Sequence, residues 1–273
     1  MPLFGGGMEI FMKVLDSFRL DGRIAVVTGG AGQYGFQIVE ALAEAGATVY
    51  VASRNRENNE KKLAPLAAAG YDVRVKEFDL EDYESIDRLA AEIYSESGKV
   101  DILVNNAVLR VMKGYNDTTD AIDRSMHANG TALIHISRIF GDRMAAAGNG
   151  GSIINIGSYM GILGVDYNLY EGTDMNKGGA SGDYFFHKGG ITNYTRFLAS
   201  HYGSAKIRTN CVELGGLFNY QPEKFVENYS KKTPLGRMAN DTDLKGIIVY
   251  LASDASAYMT GAIIPLDGGY SIK

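Results

Sequence analysis

Along the chain, short runs of β-branched and aliphatic residues alternate with longer stretches in which apolar positions recur every three or four residues. The runs RIAVVT (23–28), TVYVAS (48–53), DVRVKEF (72–78), DILVN (101–105), SIINIG (152–157), IRTNCVEL (207–214) and AIIPLD (262–267) read as strands. Between them QIVEALAEAG (37–46), NNEKKLAPLAAAG (58–70), SIDRLAAEIYSESG (85–98), a long segment near 118–147, YFFHKGGITNYTRFLASHYG (184–203) and DTDLKGIIVYLASD (241–254) read as helices, several closed by glycine. The strands are apolar on both sides, as burial between two helical layers requires. Strand–helix alternation predicts an α/β fold: one doubly wound domain, a seven-stranded parallel sheet with helices on both faces. Two stretches break the alternation. MGILGVDYNLYEGTDMNKGGASGD (160–183) is glycine-rich, polar and long for a loop, and residues 215–238 hold a short helix between loops. Such loops in compact domains tend to be lids or binding loops, so 160–183 reads as an active-site loop and 215–238 as a substrate loop. Residues 1–20 read as an N-terminal extension, partly disordered, ahead of a domain spanning 21–273.

The totals narrow the class. The chain has 273 residues, 45% hydrophobic and 22% charged, enough for a substantial core. The net charge of −5, without a lysine–arginine cluster, argues against nucleic acid as a partner. No segment is long and apolar enough to span a membrane. Cys211 is the single cysteine, which excludes an internal disulfide and fits a reducing, cytoplasmic setting. It lies in a strand with no base beside it, so it reads as core. No metal-binding pattern is read.

The candidate chemistry begins at TGGAGQYG (28–35), directly after the first strand. Gly29, Gly30, Gly32 and Gly35 permit a tight turn and a close backbone approach, and the helix that follows offers free N–H groups to an anion. GAGQYG (30–35) reads G-x-G-x-x-G, and its place between strand and helix makes it a dinucleotide-binding turn. At the end of the second strand stand Ser53 and Arg54, with no acid before Glu57. A hydroxyl and a guanidinium suit the 2′-phosphate of NADP, which a carboxylate would repel; NAD remains open.

These pieces, with DL (79–80), NNA (105–107), NIGS (155–158), YFFHK (184–188), IRTNCV (207–212) and YMTGAIIPLDGG (258–269), come in the order found in the short-chain dehydrogenase/reductase family. The chain resembles that family's short single-domain branch from about residue 20 to its end. The resemblance implies a Rossmann fold and an NAD(P)-dependent oxidoreductase acting on a secondary alcohol or ketone. It assigns Tyr184 as general acid/base, Lys188 as its partner on the nicotinamide ribose, and Ser158 as donor to the reacting oxygen. It implies cofactor contacts by Gly29, Gly32, Gln33, Tyr34 and Gly35 at the phosphates. Asp79 and Leu80 fall at the adenine, Asn106 at the adenine-side ribose and Leu217 at the carboxamide. It also implies a homotetramer or homodimer, with the helical segments near 118–147 and 184–203 at an interface. The chemistry agrees. A phenol is a poor base at neutral pH, and a lysine four positions on, on the same helix face, supplies the positive charge it lacks.

The chain departs from the family in five places. Gln33 occupies a position usually held by glycine, where its side chain reaches a phosphate or ribose or faces water. His127 in MHANGTAL stands where the family has asparagine; a histidine can also donate and accept, so it is a candidate for the proton relay, or else packs between helix and sheet. Asn129, two positions on, falls on another face of that helix. Val108 and the pair Leu214-Gly215 replace the usual glycine and proline-glycine and could reshape the pocket. Finally, Tyr184 follows Ser158 by 26 positions, a wider spacing than usual, and the extra residues form the 160–183 loop. Its polar content (Asp166, Tyr167, Asn168, Tyr170, Glu171, Asp174, Asn176) suits a hydroxyl-rich substrate. YEGT followed by YFFHKGGI is similar to a subgroup acting on sugars and sugar acids. The expected substrate is a sugar, sugar acid or polyol. Two other readings stand beside it: a cofactor-binding sensor or scaffold without catalysis, and a reductase of 3-oxoacyl or enoyl substrates.

Overall fold

The computed structural model describes residues 13–175 and 177–272. The first twelve residues of the expected extension, and Asn176 of the loop, lie outside the described residues. Fully buried Leu20 already belongs to the core, and Phe18 packs near Tyr250.

Seven strands, β1 (Ile24–Thr28), β2 (Thr48–Ser53), β3 (Val73–Glu77), β4 (Ile102–Asn105), β5 (Gly151–Ile156), β6 (Ile207–Leu214) and β7 (Ile263–Leu266), form one sheet in the order β3-β2-β1-β4-β5-β6-β7. Every pairing is parallel, Val26 lying against both Tyr50 and Leu103. The helices are α1 (Gln33–Glu44), α2 (Arg56–Ala68), α3 (Tyr83–Ser97), α4 (Thr119–Ser125), α5 (Ala132–Ala147), α6 (Gly182–Tyr202), α7 (Glu223–Lys232) and α8 (Lys245–Ala252). Alternate residues of each strand feed two cores. Ala25 and Val27 of β1 pack with Ile38 and Leu42 of α1 and Ile248 of α8; Val26 packs with Ile86 of α3, Phe140 of α5 and Leu198 of α6.

Local chemistry sets the element ends. Asn55 and Asp82 cap α2 and α3 by accepting from the N–H groups of Asn58 and Ser85. Gly98 and Gly148 close α3 and α5 in the left-handed conformation. The segment read as one helix near 118–147 is interrupted. Met126–Thr131 is a π-turn, in which the N–H of Ala132 bonds to the carbonyl of His127. Its extra residue per turn shifts the facing of every side chain on the segment.

The strand order reverses between β1 and β4. Loops from the two halves of the sheet separate there at the strands' carboxyl ends and leave a crevice.

Candidate active site

Each residue given a site role from the sequence, His127 excepted, lines one open cleft of about 740 Å³ at that crevice. At its phosphate end the glycine turn is fully constrained. Gly29 has φ +65°, and a Cβ on Gly35 would stand 2.2 Å from the Gly29 carbonyl oxygen. Gly32 precedes α1 without a capping side chain, so the first N–H groups of the helix point at the cleft unpartnered by it. Gln33 is the first residue of α1, exposed at the rim. Tyr34 is held differently: its hydroxyl donates to the Gly215 carbonyl at 2.8 Å, tying α1 to the loop after β6, and burial raises its pKa. Asn106 braces the turn, donating to the carbonyls of Thr28 at 3.0 Å and Gly29 at 3.1 Å. The turn, the helix terminus and the Cβ-free backbone together fit a pyrophosphate.

Beyond β2, Ser53 accepts from the side-chain amide of Asn59, and exposed Arg54 lines the cleft. Lys62, one helical turn past Asn59, lies within 3.5 Å of the Ala31 carbonyl. Neither Asn59 nor Lys62 was singled out in the sequence; their signal is their spacing on the first turns of α2. Among the described residues, Asp79 is the only acid on the cleft wall. That end is therefore positive and fits a 2′-phosphate.

The reacting end is built by β5 and α6. Ser158, just past β5, receives an N–H bond from Met160 at its Oγ, so its own hydroxyl proton is free to be donated. Its backbone N–H is held by the fully buried carboxyl of Glu213, which also contacts Thr192 Oγ1 at 2.6 Å. Lys188 is buried; its Nζ donates to the Ile156 carbonyl at 2.6 Å and lies 5.7 Å from the centre of the Tyr184 ring. Arg110, unassigned from sequence, places its guanidinium 4.2 Å from the same ring centre. Cys211 is buried behind the site and burial raises its thiol pKa, as a core cysteine requires.

Two expectations are corrected. His127 does not reach the cleft. It is exposed, stacks on Tyr83 at 4.2 Å, and bonds the Tyr83 hydroxyl and the Glu81 carbonyl. The π-turn sends Asn129 inward instead: its amide spans the Leu109 backbone, accepting from N–H and donating to C=O, both at 2.8 Å. Counting back from Gly130 in regular helical steps could not show this. The 160–183 loop is the second. Among the described residues, its acids and amides do not line the cleft. Asp166 pairs with Lys232 of α7, and Tyr167, Asn168, Glu171 and Asp174 are exposed. Tyr170 and Met175 form its inner face, packing with Leu169 onto Phe225 and Tyr229 of α7. A loop that must cover a site buries its apolar side first.

Comparison with known proteins finds relatives over nearly the whole chain. A family model described as "Enoyl-(Acyl carrier protein) reductase" matches residues 32–271. Galactitol 2-dehydrogenase of Rhizobium johnstonii is 34% identical over 269 residues, covering 95% of this chain and 99% of that one. D-threitol dehydrogenase of Mycolicibacterium smegmatis is 31% identical over 262 residues, covering 94% and 95%. The solved structure of a gluconate 5-dehydrogenase from Burkholderia cenocepacia, in complex with NADP and tartrate, superposes with a TM-score of 0.85 at 26% identity. That match covers 96% of this chain and 100% of that one.

Proposed function

The chain belongs to the short-chain dehydrogenase/reductase family, and on that premise we propose that it interconverts a secondary alcohol and a ketone on a polyhydroxylated acid, with NADP as cofactor. The observation that carries the reading is that Ser158, Tyr184 and Lys188 all line one cleft, whose far end fits a phosphorylated dinucleotide. When bound, the nicotinamide supplies the hydride acceptor or donor. The glycine turn and α1 hold its pyrophosphate, and Ser53, Arg54 and Lys62 its 2′-phosphate; Asp79 and Leu80 lie at the adenine end, and Leu217 beside the nicotinamide. Ser158 Oγ–H and the Tyr184 hydroxyl orient the reacting oxygen. Tyr184 takes the alcohol proton during oxidation and returns it during reduction. Lys188 and Arg110 set two positive charges against the ring, where negative charge develops as that proton moves. The free N–H bonds of Lys188 are left to hold ribose hydroxyls.

Arg110 favours an acid over a neutral polyol. Among the described residues it has no hydrogen-bond or ion-pair partner, and that end of the cleft carries no carboxylate. A substrate carboxylate is the partner that such a guanidinium accepts in bidentate fashion. The relatives named for galactitol and threitol support the hydroxylated class, and the gluconate 5-dehydrogenase holding tartrate supports the acid. The test is NADP-linked turnover on aldonates, neutral polyols and 3-oxoacyl thioesters. Aldonates are expected to be preferred, and Tyr184→Phe to lower kcat by about a hundredfold or more with NADP affinity retained. Arg110→Gln should raise KM for the acid about tenfold, a loss of about 1.4 kcal/mol, with KM for polyols unchanged, and should lower kcat for both, since the charge beside Tyr184 is lost in either case. Tight NADP binding with no turnover on the whole panel would sink the enzyme reading.

The assembly we favour is a homotetramer or homodimer. Supporting it, Phe186 and Phe197 of α6 are 65% and 57% exposed, and Ile134 of α5 is 50% exposed. We take the setting as cytoplasmic, a reading supported by the single, buried thiol.

A further inference from the structure

The chain leaves β6 through Leu214, Gly215, Gly216 and Leu217, with two glycines and no proline. Two tyrosine hydroxyls meet there on a single peptide group. Tyr34, the second residue of α1, donates to the Gly215 carbonyl at 2.8 Å. Tyr229 of α7 accepts the Gly216 N–H at 2.6 Å. That carbonyl and that N–H belong to one planar trans unit and point in opposite directions, so the two hydroxyls hold its opposite edges. Tyr229 is buried and Tyr34 partly so. Burial pushes the Tyr229 pKa up to about 12 and raises that of Tyr34, so both remain neutral phenols at pH 7.

Glycine makes this contact possible and also makes the segment loose. A Cβ on Gly215 would stand 3.1 Å from the Tyr229 hydroxyl, and one on Gly216 would stand 3.0 Å from its ring. A side chain at either position would press on the tyrosine. Between two glycines the peptide plane is free to turn, a freedom that a proline would limit. Turning it breaks both hydroxyl bonds at once. The rest of the segment is fastened as well. The Gly215 N–H donates to the Leu266 carbonyl and the Gly216 carbonyl accepts from the Ala239 N–H, both at 2.9 Å, while the Leu217 carbonyl accepts from the Gln221 side chain at 2.8 Å. Only the Leu217 N–H, among the described residues, donates to nothing. Leu217 lines the cleft. A donor left open in a segment whose other polar groups are all paired is available to a ligand.

We propose that Tyr34 and Tyr229 are positioning residues: together they clamp the Gly215–Gly216 peptide and so hold the Leu217 N–H in place for the carboxamide of the nicotinamide. The inference rests on the NADP reading above. The clamp joins the nicotinamide end of the cleft to two other parts of its wall. Tyr34 stands on the helix whose N-terminus fits the pyrophosphate. Tyr229 stands on α7, where it packs with Leu169 and Phe225 under the 160–183 loop. Because both bonds end on one rigid plane, each protects the other. Losing either hydroxyl lets the plane turn, and the Leu217 N–H, next along the chain, turns out of place with it.

Two measurements test this. In cofactor-free protein, hydrogen exchange at the Gly216 amide, followed by NMR, should speed up about tenfold or more in Tyr229→Phe, which removes its acceptor. It should also speed up about threefold or more in Tyr34→Phe, which touches only the carbonyl on the other edge, while the Val212 amide of β6 keeps its protection in both variants. Gly216 exchange unchanged in Tyr34→Phe overturns the clamp. By calorimetry, each variant should bind NADP about three- to tenfold more weakly, the loss expected of one hydrogen bond, and should bind adenosine 2′,5′-bisphosphate, which lacks the nicotinamide half, within about twofold of wild type. Unchanged NADP affinity, or an equal loss for both ligands, overturns the positioning role. Wild-type protein that binds neither ligand refutes the NADP reading itself, a different failure, and the exchange result stands apart from it.

Discussion

Arg54→Gln isolates the choice of cofactor. Arg54 is exposed at the end of β2, lines the cleft, and has no hydrogen-bond or ion-pair partner among the described residues, with only a weaker charge contact to Glu81. A unit charge about 4 Å from a phosphate is worth about 1 kcal/mol in bulk water and about 4 kcal/mol at the effective dielectric of a protein surface. Exposure favours the lower part of that range, and a charge-assisted hydrogen bond contributes about 1.5–3 kcal/mol. Removing the guanidinium while keeping a polar side chain of similar reach should therefore raise KM for NADP about ten- to a hundredfold. NAD carries no 2′-phosphate, so its KM should hardly move. Lys62 keeps part of the positive field, which makes Arg54→Gln with Lys62→Ala worse than either change alone. Steady-state KM for both cofactors at low and high salt is the assay. The wild-type preference for NADP should weaken with salt, and the variant's should depend on it less. The reasoning fails if both cofactors lose affinity equally, or if the wild type binds NAD as tightly as NADP.

Two further outcomes follow from the same geometry. Asn129→Ala leaves the Leu109 backbone N–H and C=O without their partners and should destabilise the fold by about 1–3 kcal/mol and slow turnover, whereas His127→Ala, on an exposed ring, should change kcat by less than about twofold; thermal melts and kcat on both variants decide it. For His187, burial lowers the folded-state pKa below 6.5, so unfolding takes up a proton there. The stability that neutral burial provides is complete above about pH 6.5 and is lost as pH falls through the folded pKa. Melting temperatures between pH 5 and 7.5 should drop toward acid, and His187→Gln should flatten that slope.

Much of the molecule was legible in the sequence. Strand and helix follow from the period of apolar residues, which neighbours along the chain impose. Parallel pairing follows from the helix between each pair of strands. The glycine turn and the Tyr184–Lys188 spacing are local as well, since a lysine four positions on shares the tyrosine's face in any regular helix. Three features could not be read this way. Which of His127 and Asn129 faces inward depends on a π-turn, a local departure that packing maintains and no spacing rule announces. The polarity of the 160–183 loop belongs to its outer face, because the α7 side chains beneath it bury its tyrosine and methionine. Arg110 meets Tyr184, and His187 meets Ser125, across contacts that only the assembled sheet and helices bring together. Sequence determined what each element is and what chemistry it carries. The tertiary structure decided which side chains face one another, because facing is set by the partner an element packs on, and that partner lies far away in the chain.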